Sequence, residues 1–161
     1  MEKKTLLAEG VIQIQVNQRL TQMNEFSFLH DRILIGSLKS GKDVFFFTTD
    51  RNDDHADIIL LEDVKILSIT DFLLENVISH IEIIPVEDQY FSYIIENFFK
   101  SSVEQYFPRD KDTFMRYSAE GLLYFSLTCS YGAICNVICR SASIFNDKSP
   151  YLSSFCSQLR K

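Results

Sequence analysis

The sequence predicts an α+β fold: a mostly antiparallel sheet of hairpins with two or three packed helices. Two observations support this class. Stretches of alternating apolar and polar residues occur towards both ends, and a long amphipathic segment lies between them. Only 5 Gly and 3 Pro occur among 161 residues, which argues against a linker-rich or loop-dominated chain. Strands followed by helices and then by further strands are typical of α+β proteins. A chain of this length is expected to form one globular domain, residues 1–161.

Strand patterns dominate the first half. Residues 10–20 alternate apolar with polar side chains, which is typical of a strand with one buried face. Residues 32–38 and 43–49 are rich in β-branched and aromatic residues and flank a short turn that contains Gly, so they predict a β-hairpin. Residues 58–61 and 64–69 predict further strands.

Helical patterns follow in the middle of the chain. Thr70, with acidic residues in the turns after it, predicts a helix N-terminus and a helix that runs to about His80. Residues 88–107 form the clearest predicted helix, which Pro108 ends. Residues 150–159 predict a short terminal helix. The apolar stripe of the central helix is expected to face the core, and its members are Phe91, Ile94, Ile95, Phe98 and Val103.

Residues 121–139 contain no charged side chain and approach the length of a membrane span. Regularly spaced polar residues within them favour a buried element of the core instead. Residues 123–130 alternate in a strand pattern, and a turn at 130–133 can lead into a second strand at 134–139. The prediction is a hairpin, and one long helix is the alternative that the pattern leaves open.

The net charge of −6 is unevenly distributed. Residues 1–50 carry six basic and six acidic side chains, residues 51–108 carry three basic and twelve acidic, and residues 109–161 carry seven basic and four acidic. The three balances are therefore 0, −9 and +3. A local concentration of carboxylates indicates an electrostatic field directed at a basic partner. No stripe of Lys and Arg offers contacts to phosphates, so direct binding of nucleic acid is not expected.

The carboxylates in and after the polar loop at residues 50–57 are the candidate contacts for such a partner. A carboxylate surface can occupy the phosphate-binding positions of a basic protein, because it carries the same sign of charge. Pairing along a strand edge is a second mode that a hairpin-rich protein offers. The candidate partner-binding residues are Asp53, Asp54, Asp57, Glu62 and Asp63.

The same loop offers a weaker hypothesis of a metal site. Its opening resembles a calcium loop, but His55 stands at the sixth position, where Gly is needed, and Leu61 stands at the twelfth, where Glu is needed. On an extended backbone Asp53, His55 and Asp57 share one face, and this set is the basis of an alternative hypothesis of a metal-dependent hydrolase. The main prediction includes no metal and no cofactor.

Catalytic and redox motifs do not emerge from the pattern. The chain contains no Walker A sequence, no G-x-G-x-x-G, no H-E-x-x-H and no G-x-S-x-G. Its four cysteines, Cys129, Cys135, Cys139 and Cys156, lack the spacing of structural zinc sites and are expected to be reduced, with Cys156 the most accessible. The first nine residues contain no long apolar stretch typical of a secretory signal. A cytoplasmic protein that is not an enzyme is expected.

An acidic α+β chain of this size without a catalytic motif resembles the bacterial immunity proteins of polymorphic-toxin and contact-dependent growth-inhibition systems. The resemblance is one of class, so it assigns no role to any residue. It implies stoichiometric neutralisation of a basic toxin that a neighbouring cell delivers, and a nuclease is the expected class of toxin. A secretion chaperone has a similar profile and is a second hypothesis of binding, for which an exposed apolar patch would be the mark.

Overall fold

The computed structural model describes residues 11–14, 29–50, 56–73, 76–100 and 111–146. These residues form nine strands and two α-helices, and a 3₁₀ turn at Asp88–Tyr90 leads directly into the first helix. The strands are β1 (Val11–Ile14), β2 (Ile33–Ser40), β3 (Asp43–Thr49), β4 (Ala56–Glu62), β5 (Ile66–Thr70), β6 (Asn76–Pro85), β7 (Leu123–Cys129), β8 (Ile134–Cys139) and β9 (Ser141–Asn146), and the helices are α1 (Phe91–Lys100) and α2 (Lys111–Ala119).

The strands form one sheet in the order β1-β9-β4-β3-β2-β6-β7-β8-β5. Every pairing between the described strands is antiparallel. Among the described strands, β2 pairs with β6 at only two residues, Ile33 and Leu34, and this is the shortest strand pairing in the sheet. The predicted α+β class with a mostly antiparallel sheet is confirmed.

Two segments of the chain, β4–β5 and β8–β9, each contribute one strand to the half of the sheet that contains β3 and one strand to the half that contains β7. Residues 63–65 alone separate β4 from β5, and Arg140 alone separates β8 from β9. The two segments pair with each other on both sides of these breaks, because β4 pairs with β9 and β5 pairs with β8. The sheet therefore bends at residues 63–65 and 140, and its two halves face each other across a shared interior.

The interior is filled by side chains from both halves. Alternate residues of β3 and β4, such as Phe46 and Ile59, meet alternate residues of β7 and β8, such as Phe125 and Val137, in one buried cluster. The rings of Phe46 and Phe125 stack at a centroid distance of 6.2 Å. Burial of this apolar surface is the main stabilising contribution to the fold.

The helices cover part of the outer face of the second half of the sheet. Ile94 and Phe98 of α1 and Phe114 of α2 are fully buried against Tyr124 of β7 and Ile138 of β8. The prediction of a core-facing apolar stripe is confirmed for Phe91, Ile94, Ile95 and Phe98, which belong to or pack against this cluster. Val103 and residues 101–107 of the predicted helix lie outside the described residues, and α2 is a helix that the sequence patterns did not predict.

Both predicted hairpins are present. The β2–β3 hairpin turns at Gly41, whose φ of 61° suits the first central position of a tight turn. The β7–β8 hairpin replaces the alternative of one long helix over residues 121–139. The predicted strands at 58–61 and 64–69 correspond to β4 and β5. Of the predicted strand at residues 10–20 the structure describes β1, and the predicted terminal helix at 150–159 lies outside the described residues.

The predicted helix from Thr70 to about His80 is wrong, because β6 begins at Asn76 and continues to Pro85. Val77, Ile78 and Ile81 fit a helical stripe as well as a strand, which explains the error. A register shift in the β6–β7 pairing between Ile78 and His80 interrupts the alternation that would have indicated a strand. β-Branched residues favour the strand once β2 and β7 supply partners on both sides.

Candidate partner-binding surface

Three of the five predicted partner-binding carboxylates lie in described residues, and Asp53 and Asp54 lie outside them. Asp57 is the first of the three along the chain and lies near the start of β4. Because alternate residues of β4 face the interior, Asp57 shares the inward face with Ile59 and Leu61. Its exposure is only 3%.

The Asp57 carboxylate forms an ion pair with the guanidinium of Arg32, with 2.6 Å between Oδ2 and Nη2. The hydroxyl of Thr48 on the neighbouring strand donates to the Asp57 carbonyl at 3.3 Å. A buried carboxylate needs such a partner, since burial without one is very costly. The position makes Asp57 part of the folded core, with its carboxylate directed at Arg32 and away from solvent.

Glu62 and Asp63 lie at the bend between β4 and β5. The hydroxyl of Ser141 donates to Glu62 across the β4–β9 pairing. Asp63 adopts φ of 47° and accepts from the Lys65 ammonium at 3.3 Å and from Arg140 Nε at 3.1 Å. The hydrogen bond from Lys65, aided by that from Arg140, lowers the pKa of the Asp63 carboxyl.

The Asp63 carboxylate belongs to an ion-pair cluster at this bend. Glu120, which follows α2, lies 3.7 Å from the ammonium of Lys65 and 3.8 Å from a terminal nitrogen of Arg140. Two carboxylates and two cations therefore form one cluster that ties the end of α2 to both bends of the sheet. Such surface pairs contribute little individually. The cluster joins elements of the fold, and its net charge is zero.

The residues proposed for a metal-dependent hydrolase are not brought together within the described residues. Asp53 and His55 lie outside them, and the third member, Asp57, points at Arg32. In the part of the chain that the structure describes, no group of three His, Cys, Asp or Glu side chains is placed to hold a metal ion. The geometry of Asp57 therefore gives this alternative no support.

Three cysteines face the interior and are free thiols: Cys129, Cys135 and Cys139. Burial raises the pKa of Cys129 to about 11 and those of Cys135 and Cys139 to about 12. Because only the thiolate is a nucleophile, these groups are inert at neutral pH. The prediction of buried thiols is confirmed for these three, and Cys156 lies outside the described residues.

A buried polar cluster connects α1 to the outer face of β7 and β8. The hydroxyls of Tyr124 and Ser126 donate to Asn136 Oδ1 at 2.7 and 3.2 Å, and Asn136 Nδ2 donates to the carbonyl of Asn97 at 3.2 Å. Burial raises the pKa of Tyr124 to about 12, so this phenol remains neutral and acts as a hydrogen-bond donor. The cluster fixes the position of α1 on the sheet.

Exposed carboxylates do occur on the second half of the sheet and on α1. Residues 66–99 contain six carboxylates and neither Lys nor Arg. Glu82 is half-buried and accepts a hydrogen bond from the hydroxyl of Tyr93 at 2.6 Å, and Asp88 pairs with Lys111. The exposed members of this acidic set within the described residues are Asp71, Glu87, Asp88 and Glu96.

A surface that the sequence analysis missed lies where β5 is followed by β6 and where β7 turns into β8. Phe72, Leu73 and Tyr131 are 43%, 56% and 76% exposed, which is unusual for large apolar and aromatic side chains. We call the surface formed by Asp71–Leu73 and Ser130–Gly132 the loop patch. Its two segments are 57 or more residues apart in sequence, so no local pattern indicates that they meet.

Comparisons with protein-family models, with curated proteins and with solved structures find no match to this chain. No α-helix within residues 76–100 or 111–146, where the described helices lie, has the length and apolar character that crossing a membrane requires.

Proposed function

We propose that this chain is a binding protein that neutralises a basic protein partner, and that it acts as a cytoplasmic immunity protein against a cognate nuclease toxin. The observation that carries the proposal is the acidic segment at residues 66–99, which holds six carboxylates and neither Lys nor Arg. In the fold this segment forms β5, β6 and α1, and its exposed members are Asp71, Glu87, Asp88 and Glu96. Asp71 follows β5, Glu87 and Asp88 follow β6, and Glu96 lies on α1.

The physical basis is electrostatic steering. A toxin that cleaves nucleic acid must hold phosphates and therefore presents a basic surface. An acidic surface accelerates encounter with such a protein and disfavours wrong partners. The carboxylates predicted in and after the polar loop contribute less than their number suggests, since Asp57 is paired with Arg32 and Asp63 is paired with Lys65 and Arg140. The proposal therefore relies on the acidic segment.

Co-expression tests the proposal directly. The reading frame adjacent to the gene for this chain is expressed from an inducible promoter, with and without the chain. If that frame encodes the toxin, its expression arrests growth and co-expression of this chain restores it. Growth arrest that co-expression does not relieve would count against the immunity function.

Salt dependence tests the electrostatic basis of binding. The purified pair is expected to associate at least tenfold more slowly at 0.5 M than at 0.05 M NaCl, because the Debye length falls from roughly 14 Å to roughly 4 Å. Stopped-flow measurements give the association rate. An association rate that does not change with salt would exclude charge complementarity as the basis of recognition.

A secretion chaperone is the second candidate, and the exposed side chains of the loop patch are the observation that favours it. A chaperone binds an unfolded apolar segment, so its affinity is expected to be insensitive to salt. The metal-dependent hydrolase is the third hypothesis, and it requires stabilisation by a divalent cation. Titration with Zn²⁺, Mn²⁺ and Mg²⁺ that leaves the melting temperature unchanged would exclude it.

A further inference from the structure

The loop patch is held in place by one buried side chain, that of Asn76 at the start of β6. Asn76 Oδ1 accepts from the backbone N–H of Leu73 at 2.9 Å and from that of Ala133 at 3.0 Å. Its amide nitrogen donates to the carbonyls of Leu34 and Leu73. One fully buried side chain therefore joins the loop after β5, the turn between β7 and β8, and strand β2.

Gly132 completes this junction. Its φ is 100°, and a Cβ at this position would lie 2.3 Å from Asn76 Oδ1 and 3.2 Å from the Asp71 carbonyl oxygen. The two loops are therefore in direct contact at their backbones. Phe72, one residue after Asp71, and Tyr131, one residue before Gly132, are thus presented at the same end of the sheet.

A third segment reaches the same end. The N–H of Ser130 donates to the Val77 carbonyl at 2.8 Å, and the N–H of Asp31 donates to the Ile78 carbonyl at 2.9 Å. Residues 29–32 therefore lie on the other side of the start of β6 from the β7–β8 turn. Asp31 is well exposed and lies 3.0 Å from His30 Nδ1.

The chemistry of this end combines exposed aromatic side chains with negative charge. Tyr131 and Phe72 lie beside backbone groups that hydrogen bonds hold in place, so their loops lose little backbone entropy on binding. Exposed Asp31 and Asp71 flank them. Residues 66–99 and 117–139, which supply the loop patch, contain neither Lys nor Arg. An aromatic centre with a charged rim is the usual composition of a protein-binding hot spot.

We infer that the loop patch, with Asp31 beside it, is the docking site for the basic protein partner. The inference rests on the proposed function and assigns it a surface: Tyr131 and Phe72 enter an apolar recess of the partner, and Asp31 and Asp71 meet Lys or Arg around that recess. The occupant is a basic protein because the exposed residues Asp31 and Asp71 beside the patch are carboxylates, and residues 66–99 and 117–139 contain neither Lys nor Arg.

Paired substitutions in the full chain test the site. Tyr131→Ala and Phe72→Ala are compared with Met115→Ala, which removes an apolar side chain as exposed as that of Phe72 from α2 at the other end of β7, about 20 Å away. Asp71→Asn is compared with Glu87→Gln, an exposed carboxylate just beyond the other end of β6. The probe is the purified product of the adjacent reading frame, and calorimetry measures Kd. Melting temperatures of all variants should match that of the wild type.

Tyr131→Ala is expected to weaken binding by a factor of about 30, which is typical of an aromatic hot spot, and Met115→Ala by less than a factor of two. Asp71→Asn is expected to slow association at low salt and to have no effect at 0.5 M NaCl, whereas Glu87→Gln has the smaller effect. Wild-type binding that survives both Tyr131→Ala and Phe72→Ala overturns the docking site while the proposed function stands. A probe that the wild-type chain does not bind overturns both.

Photocrosslinking distinguishes the basic partner from a second copy of this chain as the occupant of the loop patch. A benzophenone amino acid replaces Tyr131, and the chain is mixed with the same probe. A crosslink to the basic probe supports the inference. A crosslink to a second copy of this chain, with a concentration-dependent dimer in sedimentation, shows that the loop patch is a dimer interface instead and overturns it.

Discussion

Asp57 and Asp63 are six residues apart in the chain, but their surroundings differ. The two carboxylates therefore contribute differently to the free energy of unfolding. Asp57 is buried beside Arg32, whereas Asp63 is partly exposed beside Lys65 and Arg140. Removal of one partner from a buried pair leaves an uncompensated charge, and removal of a surface pair leaves groups that water can solvate. Equal residue types therefore differ in their contribution to stability.

Asp57→Ala is expected to lower the free energy of unfolding by about 3–5 kcal/mol, because it removes the carboxylate that lies 2.6 Å from the largely buried Arg32 guanidinium. The double variant Arg32→Met/Asp57→Leu removes both charges and should recover most of that loss. Asp63→Asn, which tolerates the positive φ, should cost less than about 1 kcal/mol. Urea denaturation measures all three. Equal losses for Asp57→Ala and Asp63→Asn would contradict the assignment of a buried pair.

Gly132→Ala tests the junction beneath the loop patch. A Cβ at this position meets Asn76 Oδ1 at 2.3 Å, and the φ of 100° is strained for any L side chain, so a loss of more than about 2 kcal/mol is expected. Gly36→Ala is the matched control in β2, because nothing lies within 4 Å of its added Cβ. Its effect should stay within about 1 kcal/mol. Denaturation curves that fail to separate the two variants would refute the close contact.

At the level of elements, the β7–β8 hairpin places different chemistry on its two faces. Its inner face carries the thiols of Cys129, Cys135 and Cys139 among apolar side chains. Its outer face carries Tyr124 and Asn136, which hold α1 through hydrogen bonds. The period-two alternation of a strand produces this division, since neighbouring residues point to opposite faces.

The inner face predicts a loss of stability at alkaline pH. The thiols ionise near 9 in the unfolded chain, whereas burial raises the pKa of Cys135 and of Cys139 from 9.0 to about 12 in the folded chain. Above pH 9 the unfolded state therefore binds fewer protons, and the free energy of unfolding falls as pH rises towards 12, by up to about 1.4 kcal/mol per pH unit for each thiol. Below pH 9 the thiols cause no such dependence.

Urea denaturation at pH 8, 9, 10 and 11 measures this slope. The variant Cys135→Ala is less stable at pH 8 because of the lost packing, but its stability should fall less steeply above pH 9 than that of the wild type. Parallel curves for the two proteins would show that the Cys135 thiol ionises equally in both states, contrary to its burial.

The outer face predicts that Asn136 controls the docking of α1. Asn136→Ala leaves the buried Tyr124 hydroxyl and the Asn97 carbonyl without this partner, and a loss of about 2–3 kcal/mol is expected. Hydrogen exchange of α1 amides should accelerate more than that of β3 amides. Ser92→Ala, on the exposed face of α1, is the control and should change neither quantity. Uniform acceleration across the protein would indicate general destabilisation in place of a local docking role.

Sequence patterns predicted elements well where a single period dominates. The alternation in β7 and the apolar stripe of α1 each identify both the element and its buried face. They failed for β6, where the register shift between Ile78 and His80 interrupts the alternation and mimics a helical stripe. They also missed α2, whose short and mostly polar sequence buries only Thr113 and Phe114.

At the level of the whole molecule, the fold separates its two ends. One end carries α2 and the neutral ion-pair cluster of Asp63, Lys65, Glu120 and Arg140, and the other carries the loop patch. The acidic segment at residues 66–99 runs between them as β5, β6 and α1. Its carboxylates carry the same sign of charge, so they repel one another in the folded state.

This self-repulsion predicts that salt stabilises the protein. The melting temperature is expected to rise by a few degrees between 10 mM and 300 mM NaCl, as ions screen the carboxylates. In the double variant Asp71→Asn/Glu96→Gln, which removes two exposed charges of the segment, the rise should be smaller. Calorimetry at both salt concentrations measures it. A fall in the melting temperature of the wild type with salt would indicate that attractive ion pairs dominate.

The sequence by itself determined the α+β class, the two hairpins, the buried face of α1, the buried thiols and the concentration of acid in the middle of the chain, because each depends on local periodicity or composition. Only the tertiary structure decided which carboxylates are exposed. Asp57 meets Arg32 across 25 residues, and Gly132 meets the backbone at Asp71 across 61, through pairings that no local pattern encodes. The location of a binding surface depends on such long-range contacts, whereas the net charge of the chain depends on composition alone.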